Sequence, residues 1–167
     1  IIGNPPYVEY SKIKDYRISH YVTEECGNLY AFVIERTVTL SANKENIGYI
    51  VPLTISSNKN MEKVRKLICS TGTVFFSHYE TRPARLFDGA DQRLTIFLIT
   101  KSQKARLFST NVKRWNSEFR SNLFKTLDYA NAILDGSIWR MSNPLEMSIY
   151  SKMLKHQPVE YRKMKDG

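Results

Sequence analysis

The sequence predicts an α/β fold: a mixed sheet whose last two strands run antiparallel, followed by a helical connector. Three observations carry this. Apolar, β-branched runs at Ile1–Gly3, Gly48–Leu53, Thr73–Tyr79 and Leu94–Thr100 have the length and composition of strands. Stripes of helical period fill the first two gaps between them. The third gap, Glu80–Arg93, holds no such stripe, so its two flanking strands pair directly and antiparallel.

Ile1-Ile2-Gly3 reads as the C-terminal end of a buried strand, and a chain that starts inside a strand is expected to be a fragment of a longer protein. Asn4-Pro5-Pro6-Tyr7 then makes a tight turn at the carboxyl edge, where open α/β sheets place their ligands. Residues 8–24 are polar, tyrosine-rich and aperiodic, and read as a mobile loop beside that edge. Asn28 is a candidate cap for a helix over 28–42, with Leu29, Phe32, Val33 and Leu40 on one face. The strand Gly48–Leu53 ends at the Ser/Asn-rich 56–58. A second helix follows, marked by Met61, Val64, Leu67 and Ile68, with Lys59, Lys63, Arg65 and Lys66 as its solvated face.

The last third changes character. Phe119, Leu123, Phe124, Leu127 and Ala130 form a helical stripe after Trp115, Asp135-Gly136 is a break, and Asn143-Pro144-Leu145-Glu146 has the order of a capped helix start. Two units are therefore expected: 1–104, the sheet, and 105–167, the helical connector.

The 167 residues, 42% hydrophobic and 25% charged, suit a soluble globular chain. No run is long enough to span a membrane, and nothing resembles a signal peptide. A net charge of +9 favours a polyanionic partner such as nucleic acid. Cys26 and Cys69 form no CxxC pair and read as free thiols of a reducing, cytoplasmic setting. His20, His78 and His156 lack a metal-ligand spacing and read as loop or surface residues, so no metal site is expected.

Asn4-Pro5-Pro6-Tyr7 after an apolar strand resembles the catalytic loop of the amino-group methyltransferases. The likeness continues through Gly27-Asn28-Leu29-Tyr30-Ala31-Phe32, Gly48–Pro52, Leu86-Phe87-Asp88-Gly89 and Gln92-Arg93-Leu94-Thr95-Ile96, which look like segments of the adenine-N6 DNA methyltransferases of type II restriction-modification systems. It covers about residues 1–100. It implies the second half of a Rossmann-like sheet, S-adenosylmethionine as methyl donor, and double-stranded DNA as partner, with the target adenine flipped out of the helix.

The chemistry suits these residue types. Adenine N6 is a poor nucleophile because its lone pair is delocalised into the ring. By the resemblance, the Asn4 side-chain oxygen and the Pro5 carbonyl accept from its two N–H bonds and favour the pyramidal, nucleophilic form. Pro5 and Pro6 lock φ and remove two donors, keeping the loop rigid. Tyr7 offers a face for the extruded base, or else packs as part of a plain Pro-Pro turn. Phe87 would be the second aromatic wall, or else the anchor of a surface loop. Arg82, Arg85 and Arg93 are candidates for phosphate contact.

The departures matter equally. The chain has no Phe-x-Gly-x-Gly loop and no strand-ending acid for the donor's ribose, so alone it is expected to be inactive and to self-associate through an open sheet edge. Alternatives are a methyltransferase acting on cytosine N4, RNA adenine or protein glutamine, or a non-catalytic basic nucleic-acid-binding module. No membrane partner is expected.

Overall fold

The computed structural model describes residues 1–15, 17–42, 45–89 and 91–156. Its strands are β1 (Ile2–Gly3), β2 (Asn46–Pro52), β3 (Gly72–Tyr79), β4 (Leu94–Lys101), β5 (Arg106–Lys113) and β6 (Ala130–Asn131), which form one sheet in the order β1-β2-β4-β3-β5-β6. Helix α1 (Leu29–Leu40) joins β1 to its parallel neighbour β2, and α2 (Glu62–Thr71) joins β2 to β3. Strand β4 lies between β2 and β3, antiparallel to both. As expected from the helix-free gap, β3 and β4 pair directly, with Tyr79 opposite Leu94.

This topology fixes where a site can form. Strands β1, β2 and β3 point the same way, so the turns that follow them open at one edge of the sheet. Asn4–Tyr7, the 3₁₀ turns Leu53–Ser56 and Lys59–Met61, and the loop 80–93 are those turns. The core lies beneath them on one face. Ile47, Tyr49 and Val51 of β2, Val74 and Phe76 of β3, and Phe97 and Ile99 of β4 meet Ala31 and Ile34 of α1 and Val64 and Ile68 of α2. Alternate residues of each strand enter it, as a period of two requires. Tyr49, Phe97 and Phe76 form an aromatic ladder across three strands, with ring centroids 5.9 and 5.7 Å apart.

Both helix starts follow from their caps. The Asn28 side chain accepts from Tyr30 N, and that of Asn143 from Glu146 N at the head of α3 (Pro144–Met153), with Pro144 in its first turn. The Glu35 carboxylate accepts from Val22 N (3.0 Å) and Thr23 N (2.8 Å), so the end of the 8–24 loop, expected to be mobile, is tied to α1.

Past Lys101 the secondary structure differs from the sequence reading. Arg106–Lys113 is strand β5, parallel to β3, so the sheet runs past the boundary expected at 104. The stripe Phe119–Ala130 is not an α-helix: Ser117–Asn122 is a 3₁₀ turn, Ala130 is in β6, Leu123 is buried, and Phe119 and Phe124 are exposed. Asn116 gives no side-chain cap, and Ser117, Ser121 and Asn122 are poor helix formers, so one buried leucine is the segment's anchor. Asp135-Gly136, read as a break, falls at a hairpin: Asp135 ends β7 (Leu134–Asp135), and Gly136, with φ +62°, turns the chain into β8 (Ser137–Ile138). The last residues of the expected connector, 157–167, lie outside the described residues.

Two single-residue readings are also corrected. His78 is fully buried in β3, its ring nitrogens bonded to Thr95 Oγ1 (2.8 Å) and Ser109 Oγ (3.1 Å). Arg65 is fully buried rather than on a solvated face. Its Nη1 donates to Ile55 O (3.0 Å) and Asn58 O (2.6 Å), and its Nη2 donates to Gly136 O. It thus staples α2 to the turn after β2 and to the β7–β8 hairpin.

Candidate functional site

The site starts at Asn4-Pro5-Pro6-Tyr7. Pro5 is buried and Asn4 and Pro6 are exposed, so the turn is seated on the sheet edge by its first proline. Tyr7 bends back over β2. Its hydroxyl lies 2.5 Å from Asn4 Oδ1 and 2.9 Å from Ile50 O, and its ring packs edge-on against Tyr30 with centroids 6.3 Å apart. Burial pushes the phenol up to about 12, so it stays protonated. The hydroxyl has one proton for two acceptors. When it goes to Asn4 Oδ1 that oxygen is occupied. When the Asn4 amide is turned over, its NH₂ donates to Tyr7 Oη, Tyr7 donates to Ile50 O, and Asn4 Oδ1 is free.

Two cavities meet at Tyr7. The smaller, about 330 Å³, is lined by Tyr7, Phe87, Gly89, Asp91 and Gln92. The two aromatics singled out in the sequence therefore line one hollow, although 80 positions separate them along the chain. The larger, about 790 Å³, lies between the turn, the head of α1 and the end of β2, with Asn28, Tyr30, Thr54, Asn58 and Asn60 among its walls. Its floor is stiffened by Tyr30, whose hydroxyl donates to Met61 Sδ at 3.0 Å. Glu9 and Glu25 stand at its rim, each ion-paired with a lysine: Glu9 with Lys12 at 3.0 Å and Glu25 with Lys63 at 2.8 Å.

The three arginines of the 80–93 region differ. Arg85 pairs with Asp91 at 2.8 Å and Arg93 with Glu80 at 3.0 Å, while Arg82 is exposed and makes no ion pair among the described residues. The exposed Arg85–Asp91 pair contributes about 0–1 kcal/mol, little enough for a phosphate to displace the carboxylate, whereas the Glu80 carboxylate that holds Arg93 is largely buried.

Sequence reasoning missed Gln92, which lines both cavities, and Arg65, which holds the turn carrying Thr54 and Asn58. Arg65 was findable, since Met61, Arg65 and Ile68 fall at the i, i+4, i+7 spacing of one helix face. Gln92 carries no periodic signal. Among the described residues, no group of three or more His, Cys, Asp or Glu could hold a metal ion, and no helix is long and apolar enough to cross a membrane.

Residues 1–81 match the Eco57I restriction-modification methylase family, over the span from the Pro-Pro turn through β3. The chain is 30% identical over 112 residues to the type II methyltransferase M.HincII of Haemophilus influenzae, a match covering 62% of this chain and 22% of that protein. The chain thus spans about a fifth of that relative's length. In fold it is similar to DrdV in a cryoEM structure of its DNA complex, with TM-score 0.64 and 11% identity over 80% of this chain and 17% of that one. It is also similar to the Type ISP restriction-modification enzyme LlaGI, a nuclease-deletion mutant bound to a DNA substrate mimic, with TM-score 0.58 and 11% identity over 88% of this chain and 18% of that one.

Proposed function

We propose that this chain carries the base-binding side of a DNA methyltransferase that acts on the N6 amine of a flipped adenine. One observation carries the reading: the Asn4–Tyr7 turn stands at the carboxyl edge of the sheet with Tyr7 lining the same hollow as Phe87. A planar base enters between the two rings and stacks, and its exocyclic amine lies towards Asn4 Oδ1 and the Pro5 carbonyl. Both acceptors strengthen their hold as positive charge develops on the amine, which lowers the barrier rather than tightening ground-state binding. Entry of the amine competes with Tyr7 for Asn4 Oδ1, and the turned-over amide resolves that competition by passing the Tyr7 proton to Ile50 O. The net charge of +9 favours DNA as the substrate, as do the DNA complexes in which DrdV and LlaGI were solved.

S-adenosylmethionine supplies an electrophilic methyl on a sulfonium in the family this chain resembles. The described residues do not fit it: no acid that lines the larger cavity stands at the end of a strand to receive the donor's ribose hydroxyls, and the two acids there, Glu9 and Glu25, are exposed side chains on short 3₁₀ segments or beside them. The chain's contribution is therefore to bind and orient the acceptor. Incubating the full-length gene product with DNA and labelled donor, then identifying the methylated nucleoside by mass spectrometry, tests the reading. N6-methyladenine is expected. N4-methylcytosine would reassign the base, and label in protein alone would refute the DNA reading.

A further inference from the structure

Phe87 owes its place to a residue far along the chain. The carbonyls of Arg85 and Leu86, directly before it, both accept from one guanidinium: Arg120 Nη1 donates to Arg85 O at 3.1 Å, and Nη2 donates to Leu86 O. Arg120 is itself held, since it lies on the 3₁₀ turn Ser117–Asn122 just before Leu123, which is buried with Tyr79 and Trp115. Ala84 and Leu86 pack on that cluster, and Ala84 N donates to Trp115 O at 3.1 Å. The inner side of the loop is thus docked on 115–123, while its outer side presents Phe87 to the hollow shared with Tyr7. The Arg85–Asp91 ion pair closes the loop across its far end.

A planar guanidinium bonded to two successive carbonyls fixes the peptide plane between them, and with it the direction in which the next side chain leaves the backbone. We propose that Arg120 is the positioning residue for the Phe87 wall, so that a segment outside the 1–81 match sets the width of the base hollow. This rests on the base-pocket reading above for its functional meaning, but not for the clamp itself. Lysine at position 120 carries the same charge and reaches one carbonyl at a time, so it separates charge from geometry.

Two readouts test it. Amide hydrogen exchange at Ala84, whose N–H donates to Trp115 O, should quicken about tenfold in Arg120→Ala and less in Arg120→Lys, with Tyr79 and Leu94 still protected as evidence that the sheet is intact. Quenching of 2-aminopurine riboside by the protein should weaken in Phe87→Ala and in Arg120→Ala, with partial recovery in Arg120→Lys. Unchanged exchange at Ala84 in Arg120→Ala would overturn the proposal. So would a quenching loss confined to Phe87→Ala. Faster exchange with no quenching by the unaltered protein upholds the clamp and removes the base-pocket reading instead.

Discussion

Acidification should destabilise this fold through His78. The ring is fully buried between β4 and β5, bonded to Thr95 and Ser109, and burial together with the charge of Arg140 lowers its pKa from 6.5 to about 3. The unfolded chain takes up a proton near pH 6.5 and the folded one does not until about pH 3, so the unfolded state binds more protons throughout that window. Stability therefore falls as pH drops, by about 2 kcal/mol between pH 6.5 and 4.5, with the slope approaching one proton once the unfolded histidine is fully charged. Carboxylates titrate over part of this range, and comparison with His78→Gln removes them. Glutamine retains one hydrogen bond and does not titrate. Urea melts of both proteins at pH 7.0, 6.0, 5.0 and 4.5 give the difference directly. The variant should be the less stable at pH 7, and the gap should close with a slope near one proton per molecule. Parallel curves for the two proteins would refute the assignment of this linkage to His78.

Gly72→Ala should cost about 1–3 kcal/mol, because a Cβ there would lie 2.2 Å from Thr100 O and 2.6 Å from Ser102 N, both backbone atoms; an unchanged melting midpoint would count against this packing. Arg65→Met should cost about 2–4 kcal/mol, since the carbonyls of Ile55, Asn58 and Gly136 lose their donor; a loss under about 0.5 kcal/mol would show that water replaces it. Calorimetry of this chain with S-adenosylmethionine should show no tight stoichiometric binding, and a saturating isotherm would reveal a donor site in residues 1–167.

What the sequence disclosed follows from which forces set each element. The first hundred residues were legible because their strands bury apolar side chains at a period of two, helix α1 carries the Asn28 side-chain cap, and α2 has a clear apolar stripe. Strand β5 was not, because its central residues Ser109 and Thr110 are polar yet buried, and their partners lie on β3: Ser109 Oγ meets His78 Nε2, and Thr110 Oγ1 accepts from His78 N. A polar core layer erases the hydrophobic pattern that announces a strand. The stripe at Phe119–Leu127 misled for the opposite reason: Leu123, Leu127 and Phe124 do pack towards Tyr79 and Trp115 and Arg120 bonds the 80–93 loop, but from a 3₁₀ turn and irregular chain rather than from a helix face. At the site, the Pro-Pro turn and the strand before it were readable locally. The meeting of Tyr7 with Phe87 depends on three strands pointing one way, and came only from the resemblance.

The central claim is that Asn4 accepts from the amine that is methylated. The direct measurement is the single-turnover rate of methyl transfer to DNA by the full-length gene product and by its Asn4→Ala variant, at saturating DNA and donor. The account predicts a fall of roughly 10²-fold or more with DNA affinity retained, the signature of an interaction made in the transition state. An Asn4→Ala variant that transfers at the unaltered rate would contradict it.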